Sequence, residues 1–159
     1  MIIREIKPED NIQIEAIIAA CFDEFALPKA GSSLEDDDVK KMHHGFQANS
    51  AAYFVVEENG KVLGGGGVKQ LKGAQRNICE LQKMYFHPDA RGKGYGRKLF
   101  NKCIQAAKDL GYKSCYLESA SQLESAIKLY TMNGCKHLEK PMGNTGHTIC
   151  GVYMIKELI

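Results

Sequence analysis

Apolar and polar residues alternate over positions 2–7, which predicts a short strand closed by Pro8. Residues 9–20 switch to a helical period, with Ile12, Ala16, Ile17 and Ala20 on one stripe. Phe22 to Gly31 has no period and reads as a loop. Ser33 with Asp36 marks another helix start, and the acidic run Glu35-Asp36-Asp37-Asp38 suits the positive end of that helix's dipole. The run has a second reading, attraction of a cationic substrate. A strand follows over Ala52–Glu57. Glu58-Asn59-Gly60-Lys61 contains Asn-Gly, the strongest short hairpin signal, so a partner strand runs from Val62 through Gly64–Gly67 to about Leu71. Ile78 to Phe86 is a further strand, closed by Pro88.

The second half alternates more regularly. Residues 94–110 predict a helix with Leu99, Cys103, Ala106, Ala107 and Leu110 inward and Gly111 as its C-cap. Lys113–Glu118 is a strand. Ser121-Gln122-Leu123-Glu124 has the S-x-x-E form of a capping box and opens a helix through Met132, with Leu123, Ala126, Ile127 and Tyr130 inward. Cys135–Lys140 and Thr148–Leu158 predict two last strands around a glycine-rich loop. The order β-α-α-β-β-β-α-β-α-β-β describes one α/β (α+β) domain over residues 1–159. It implies a mixed, mostly antiparallel sheet of about seven strands with about four helices, and a βαβ unit over residues 78–118.

Composition excludes more than it selects. The chain has 159 residues, 44% hydrophobic and 25% charged, as in ordinary globular domains. Twenty-one basic and nineteen acidic residues leave a net charge of +2, too little excess for a nucleic-acid or membrane-surface binder. No apolar run reaches the roughly 18 residues of a membrane span, and the charged N-terminus does not read as a signal peptide. A cytoplasmic location is expected. Six cysteines show no C-x-x-C spacing and lie mostly in apolar stretches, so they read as reduced, buried thiols. The five histidines have no metal-binding spacing, and no metal is expected. His147, in the loop 142–147, is a candidate border of an acceptor site.

Glycine is the exception: 16 residues, where about 11 is average for this length. Three fall in Arg91-Gly92-Lys93-Gly94-Tyr95-Gly96-Arg97-Lys98, between a strand and a helix. Such a junction exposes backbone N–H groups at the positive end of a helix dipole, and glycine lets phosphate oxygens approach closely. Arg91, Lys93, Arg97 and Lys98 add charge there. The inferred ligand is a di- or polyphosphate. The spacing is neither the Walker pattern nor the Rossmann G-x-G-x-x-G. Gly64–Gly67 lies inside a predicted strand, where it marks either a bulge or a strand cleared beside a ligand.

Arg91-x-x-Gly94-x-Gly96 resembles the R/Q-x-x-G-x-G/A signature of the GNAT superfamily of N-acetyltransferases. Glu80–Pro88 is similar to that family's fourth strand, Ala126–Gly134 to its A-x-x-L-Y helix, and Val152–Leu158 to its last strand. The resemblance covers nearly the whole chain. It implies acetyl-CoA as cosubstrate, with its pyrophosphate on Arg91, Gly92, Lys93, Gly94, Tyr95, Gly96 and Arg97. Its pantetheine arm would lie along Met84, Tyr85 and Phe86, in a slot where the fourth and fifth strands splay apart. It also implies Tyr130 as the general acid that protonates the departing thiolate, and Glu80 as a candidate general base, with a water relay as the alternative. A strand amide near Phe86 would hold the oxyanion. The acetyl group would pass directly to a primary amine of a small molecule or peptide, with no acyl-enzyme. A non-catalytic acyl-CoA-binding module of the same fold is the rival reading. The family is also known for homodimers, which leaves one possible here. Two positions depart from the family pattern: Leu123 stands where many members have asparagine, and Cys135 where an aromatic is usual.

Overall fold

The computed structural model describes residues 1–159. Seven strands form one sheet in the order β1-β2-β3-β4-β5-β7-β6. They are β1 (Ile2–Glu5), β2 (Ala52–Glu58), β3 (Lys61–Gln70), β4 (Ile78–Phe86), β5 (Ser114–Ala120), β6 (Lys136–Leu138) and β7 (Gly151–Glu157). The helices are α1 (Asn11–Glu24), the single turn α2 (Met42–Gly45), α3 (Tyr95–Asp109) and α4 (Glu124–Met132). Every pairing is antiparallel except β4–β5. That pair is parallel because α3 crosses over between the two strands and returns the chain in the same direction.

The sheet is covered on both faces. Tyr53 and Val55 of β2 face α1, while Phe54 and Val56 face α3, as the two-residue period of a strand requires. On the α1 face Ile14, Ile17, Ile18, Cys21 and Phe22 pack with Met42 and Phe46. On the other face Leu99, Phe100, Cys103, Ile104 and Ala107 of α3 pack with Val68, Leu81, Leu117 and Met154. Five cysteines are buried, Cys150 is half-buried, and all six are free thiols.

Several local expectations need correction. The buried stripe of α1 is Ile14-Ile17-Ile18-Cys21-Phe22, a full i, i+3, i+4, i+7, i+8 series, and Ile12 is 79% exposed. The helix therefore runs three residues into the expected Phe22–Gly31 loop. Leu110, expected inward on α3, is exposed, and Phe100 and Ile104 take its place. Residues 33–40 form two short 3-10 turns, Ser33–Glu35 and Asp37–Lys40, with Asp36 extended between them. The acidic run does not sit on a long helix dipole: Asp36 pairs with Lys83 and Asp38 with Lys69. The expected capping box also fails to form. Helix α4 begins at Glu124 after Leu123, with no side-chain cap, and Ser121 bonds Gln122 instead.

The glycine run in β3 opens the fold where β4 needs it. A Cβ on Gly65 or Gly67 would lie 2.7 or 2.6 Å from the Tyr53 side chain, and one on Gly64 2.5 Å from the Phe86 ring. These glycines clear space for the protein's own aromatic rings. The Tyr53 hydroxyl then donates 2.8 Å to the Lys83 carbonyl. At that point β4 carries a bulge: Gly65 pairs with Tyr85 but Gly67 pairs with Gln82, so three steps of β4 face two of β3. Lys83 takes a left-handed backbone, φ +53°. A bulge bends its strand and increases its local twist.

Candidate active site

Strands β4 and β5 pair only at Ile78–Ser114, Cys79–Cys115 and Glu80–Tyr116. Beyond Glu80 they part, and the remainder of β4 has no strand on that side. The cleft so opened is lined by Glu80 to Tyr85 of β4, Leu117 to Ala120 of β5, and Ala126 and Tyr130 of α4. Phe22, Ser32, Ser33, His147, Ile149 and Cys150 are also among its lining residues. The splay expected between the fourth and fifth strands is present; it begins just past Glu80 and continues through the bulged Lys83 segment.

Glu80 is 5% exposed. Burial first, and then the nearby Glu118 charge, push its carboxyl up to about 7, against the pull of Lys83 and the Gln82 amide. The Gln82 Nε2 donates 2.5 Å to Glu80, and the Gln82 Oε1 accepts from Lys83 at 3.1 Å. The Lys83 ammonium also donates 2.8 Å to Asp36. A chain of polar contacts therefore runs Glu80–Gln82–Lys83–Asp36.

The chain continues to His147, whose Nε2 lies 3.0 Å from both Asp36 oxygens and whose Nδ1 lies 3.4 Å from Glu118. Asp36 and then Glu118 hold this imidazole protonated, raising it to about 9. Burial pushes Glu118 upward, but hydrogen bonds from His147, Tyr116 and Thr145 outweigh it and keep the carboxylate below its ordinary value. Tyr116 donates at 2.6 Å and Thr145 at 2.8 Å. The segment after β6 is thereby strapped across the cleft. Its other ties are the Met142 amide on the Tyr116 hydroxyl, 3.2 Å, and the Thr148 amide on the Gly31 carbonyl, 2.9 Å.

Tyr130 presents a different environment. Its ring is buried and packs on Phe100 at 5.7 Å between centroids. No protein group bonds its hydroxyl, and no side-chain polar atom is sealed away without a partner, so the hydroxyl opens on the cleft it lines. Burial holds the phenol above its ordinary value, so it stays protonated throughout the physiological range.

The strand-to-helix loop lies beyond the far end of β4. Gly92 and Gly94 have φ +71° and +82°, and a Cβ on either would meet nothing within 4 Å. Gly94 ends the loop, α3 starts at Tyr95 with no side-chain cap, and its first turn holds no acidic residue. The free N–H groups of that turn, flanked by exposed Lys93, Arg97 and Lys98, form an open cradle for an anion. The residues present thus suit the diphosphate of a CoA ester. Arg91 was expected to add its charge there, but the guanidinium turns inward. It donates 2.7 Å to the Phe86 carbonyl and 2.5 Å to Glu24, and stacks on Phe25. It ties the end of β4 to α1, and only its backbone remains for the cradle. Met84, Tyr85 and Phe86 line the unpaired stretch of β4, half-buried, with the Tyr85 hydroxyl 3.4 Å from Ser33.

The profile of the Acetyltransferase (GNAT) family matches residues 13–134. The chain belongs to the GNAT acetyltransferase family. It is accordingly an acetyl-CoA-dependent acyltransferase. It is similar to the uncharacterized N-acetyltransferase YjgM of Escherichia coli, 39% identical over 158 residues that cover 99% of this chain and 95% of that protein. Its fold is that of a GNAT acetyltransferase from Staphylococcus aureus, at TM-score 0.87 and 18% identity over 99% of each chain. YncA of Salmonella typhimurium, solved with its cofactor acetyl-CoA, matches at TM-score 0.81 and 24% identity over 100% of this chain and 94% of that one. No helix of this GNAT member is long and apolar enough to cross a membrane.

Four residues of the cleft escaped the sequence reading. Lys83, Gln82, Tyr116 and Glu118 stand on strands, where they read as ordinary alternating positions. The signal available was Glu118: an acidic residue two positions from Tyr116, so on the same face, and the one charged residue of its strand.

Proposed function

We propose that the protein transfers the acetyl group of acetyl-CoA to a primary amine of a small molecule or peptide, by direct attack and without an acyl-enzyme. The observation that carries this reading is the pair of unlike proton carriers lining one cleft at the β4–β5 splay. Glu80 is a carboxyl poised at about 7, and Tyr130 is a protonated phenol free of protein partners.

Each has a task suited to its state. A protonated amine has no lone pair to attack with, and a carboxylate that titrates near 7 can take its proton at neutral pH. A thiolate leaving group needs a proton, and the Tyr130 hydroxyl holds one. The burial that raises the tyrosine also disfavours the thiolate charge beside it, so the transfer remains feasible although the phenol is a weakened acid. The Arg91–Arg97 cradle would hold the diphosphate, and the unpaired edge of β4 at Met84–Phe86 would accept the pantetheine amides as an added strand. Cleft charge supports a cationic acceptor. Asp36, Glu118 and ionised Glu80 carry three negative charges against two positive ones from Lys83 and His147, which leaves one negative charge for an ammonium to meet.

Release of CoA from acetyl-CoA, followed across a panel of primary amines, tests the reading. Turnover on at least one amine, lost in Tyr130→Phe and Glu80→Gln, is expected. Tight acetyl-CoA binding with no turnover on any amine would instead make the protein a binding module.

A further inference from the structure

Outside the proton carriers, one cluster in the cleft has a composition that acetyl transfer does not call for. The Glu118 carboxylate, the His147 imidazole and the Cys150 thiol each offer one donor atom, and all three atoms lie within 4.8 Å of one another. They come from β5 and from the strap that crosses it. Cys150 is also the one cysteine of the six that is not buried. We propose that Glu118, His147 and Cys150 form a site for a zinc-like divalent ion, bound between β5 and the strap.

The donor set is one sulfur, one nitrogen and one oxygen. Soft thiolate with imidazole and carboxylate selects zinc over magnesium or calcium, which prefer oxygen alone. Three protein ligands leave the fourth tetrahedral position to water. The outer contacts are those a metal-binding histidine needs. His147 Nε2 is fixed by both oxygens of Asp36 at 3.0 Å, which aims the other ring nitrogen, Nδ1, at Glu118. A carboxylate behind the distal nitrogen in this way sets the tautomer and orientation of a ligating imidazole. The Glu118 Oε2 takes the Tyr116 hydroxyl at 2.6 Å, which orients the carboxylate.

Charge balance favours the exchange. Without metal, the cluster holds two removable protons, one on the His147 imidazolium and one on the Cys150 thiol. Entry of a divalent cation with loss of both protons leaves the net charge of the half-buried cluster unchanged: M²⁺ + imidazolium + thiol gives metal–imidazole and metal–thiolate bonds plus two H⁺. No oxidant or reductant is needed. Affinity must therefore rise steeply with pH, because binding releases protons.

Cobalt(II) titration of the metal-free protein tests this, since a cobalt–thiolate bond has its own charge-transfer absorption. Expected is a band that saturates at one equivalent, is displaced by zinc, and disappears in Cys150→Ser. Asp36→Asn, which leaves all three ligands in place, should weaken binding by about tenfold to hundredfold. No thiolate band at one equivalent, or a band that survives in Cys150→Ser, overturns the site. Acetyl transfer is not read in this experiment, so its failure leaves the proposed activity standing, and loss of that activity leaves the site standing.

Discussion

Glu80 and Glu118 line one cleft from neighbouring strands, and their surroundings treat them oppositely. Glu118 is held ionised by three donors, whereas Glu80 is raised to about 7 by burial and by the Glu118 charge itself. One carboxylate is fixed as a charge and the other is left free to titrate. The proposed base thus depends on the charge of a residue that shares no hydrogen bond with it.

The first consequence is a pH profile. If Glu80 must be ionised, kcat/KM rises with pH through a midpoint near 7. Glu118→Gln removes the neighbouring negative charge, so the midpoint moves to lower pH. Rates measured across the range in both proteins check this; a midpoint that moves upward contradicts the coupling. Glu80→Gln removes the limb and lowers kcat by roughly 10²–10⁴-fold.

The same residue has a stability signature of opposite sense. The folded protein keeps the Glu80 proton up to about 7, and the unfolded chain loses it near 4.5. The folded state therefore binds more protons between these values, and stability falls as pH rises through that window, then levels above it. Glu80→Gln mimics the protonated form. It should stabilise the protein at pH 8 by on the order of 3 kcal/mol while removing activity. Urea unfolding of both proteins at pH 4 and pH 8 measures this: the difference should vanish at the lower pH.

Tyr130→Phe separates chemistry from packing. The hydroxyl has no protein partner, and the ring rests on Phe100. Unfolding free energy should change by less than about 0.5 kcal/mol, in the range of substitutions that break no buried contact. Acetyl-CoA affinity should hold, while kcat falls by about a hundredfold or more. Calorimetry with acetyl-CoA and steady-state rates on one accepted amine give the two numbers.

The alternations, the Asn-Gly hairpin and the strand–glycine–helix junction are local signals, and they carried the order of elements along the chain and the open glycine loop before α3. What was hidden depended on distant partners. The α1 stripe was misplaced because Ile12, Ile14, Ile17 and Ile18 admit two faces, and only the docked β3 and β4 choose between them. The bulge at Lys83 arises from Tyr53 and the glycines of β3, up to 30 residues away. Asp36 looked like a dipole partner because nothing nearby announces Lys83 or His147. Arg91 looked free because its partners Glu24 and Cys21 lie on α1.

His147 makes the strap sensitive to alkali. Its imidazolium is held to about 9, against an ordinary 6.5. A raised value means the clasp contributes fully below about 6.5 and is lost as pH rises through 9. In the metal-free protein, amide exchange over residues 139–150 should therefore accelerate between pH 7 and 10 beyond the intrinsic pH dependence. In His147→Asn that excess disappears and the strap exchanges fast throughout. Uniform protection of the strap in the wild-type protein at pH 10 would contradict the clasp.

Gly94 and Gly96 sit two residues apart on either side of the start of α3 and should respond to alanine in opposite ways. Gly94 has φ +82°, and a Cβ there would meet no protein atom. The strain of a left-handed alanine, about 1–2 kcal/mol, falls on the fold, and the methyl projects into the open cradle. Gly94→Ala should lower the melting temperature by a few degrees and raise KM for acetyl-CoA with kcat little changed, the pattern of lost uniform binding. Gly96 lies in the first turn of α3 without a positive φ, and its Cβ would rest 3.5 Å from Leu129, an ordinary contact. Gly96→Ala should hold or raise the melting temperature, because alanine favours the helix by up to about 1 kcal/mol. Thermal melts and acetyl-CoA saturation curves for the two variants, run side by side, distinguish a loop built around backbone approach from one that merely turns. Equal effects at both positions would place the diphosphate elsewhere.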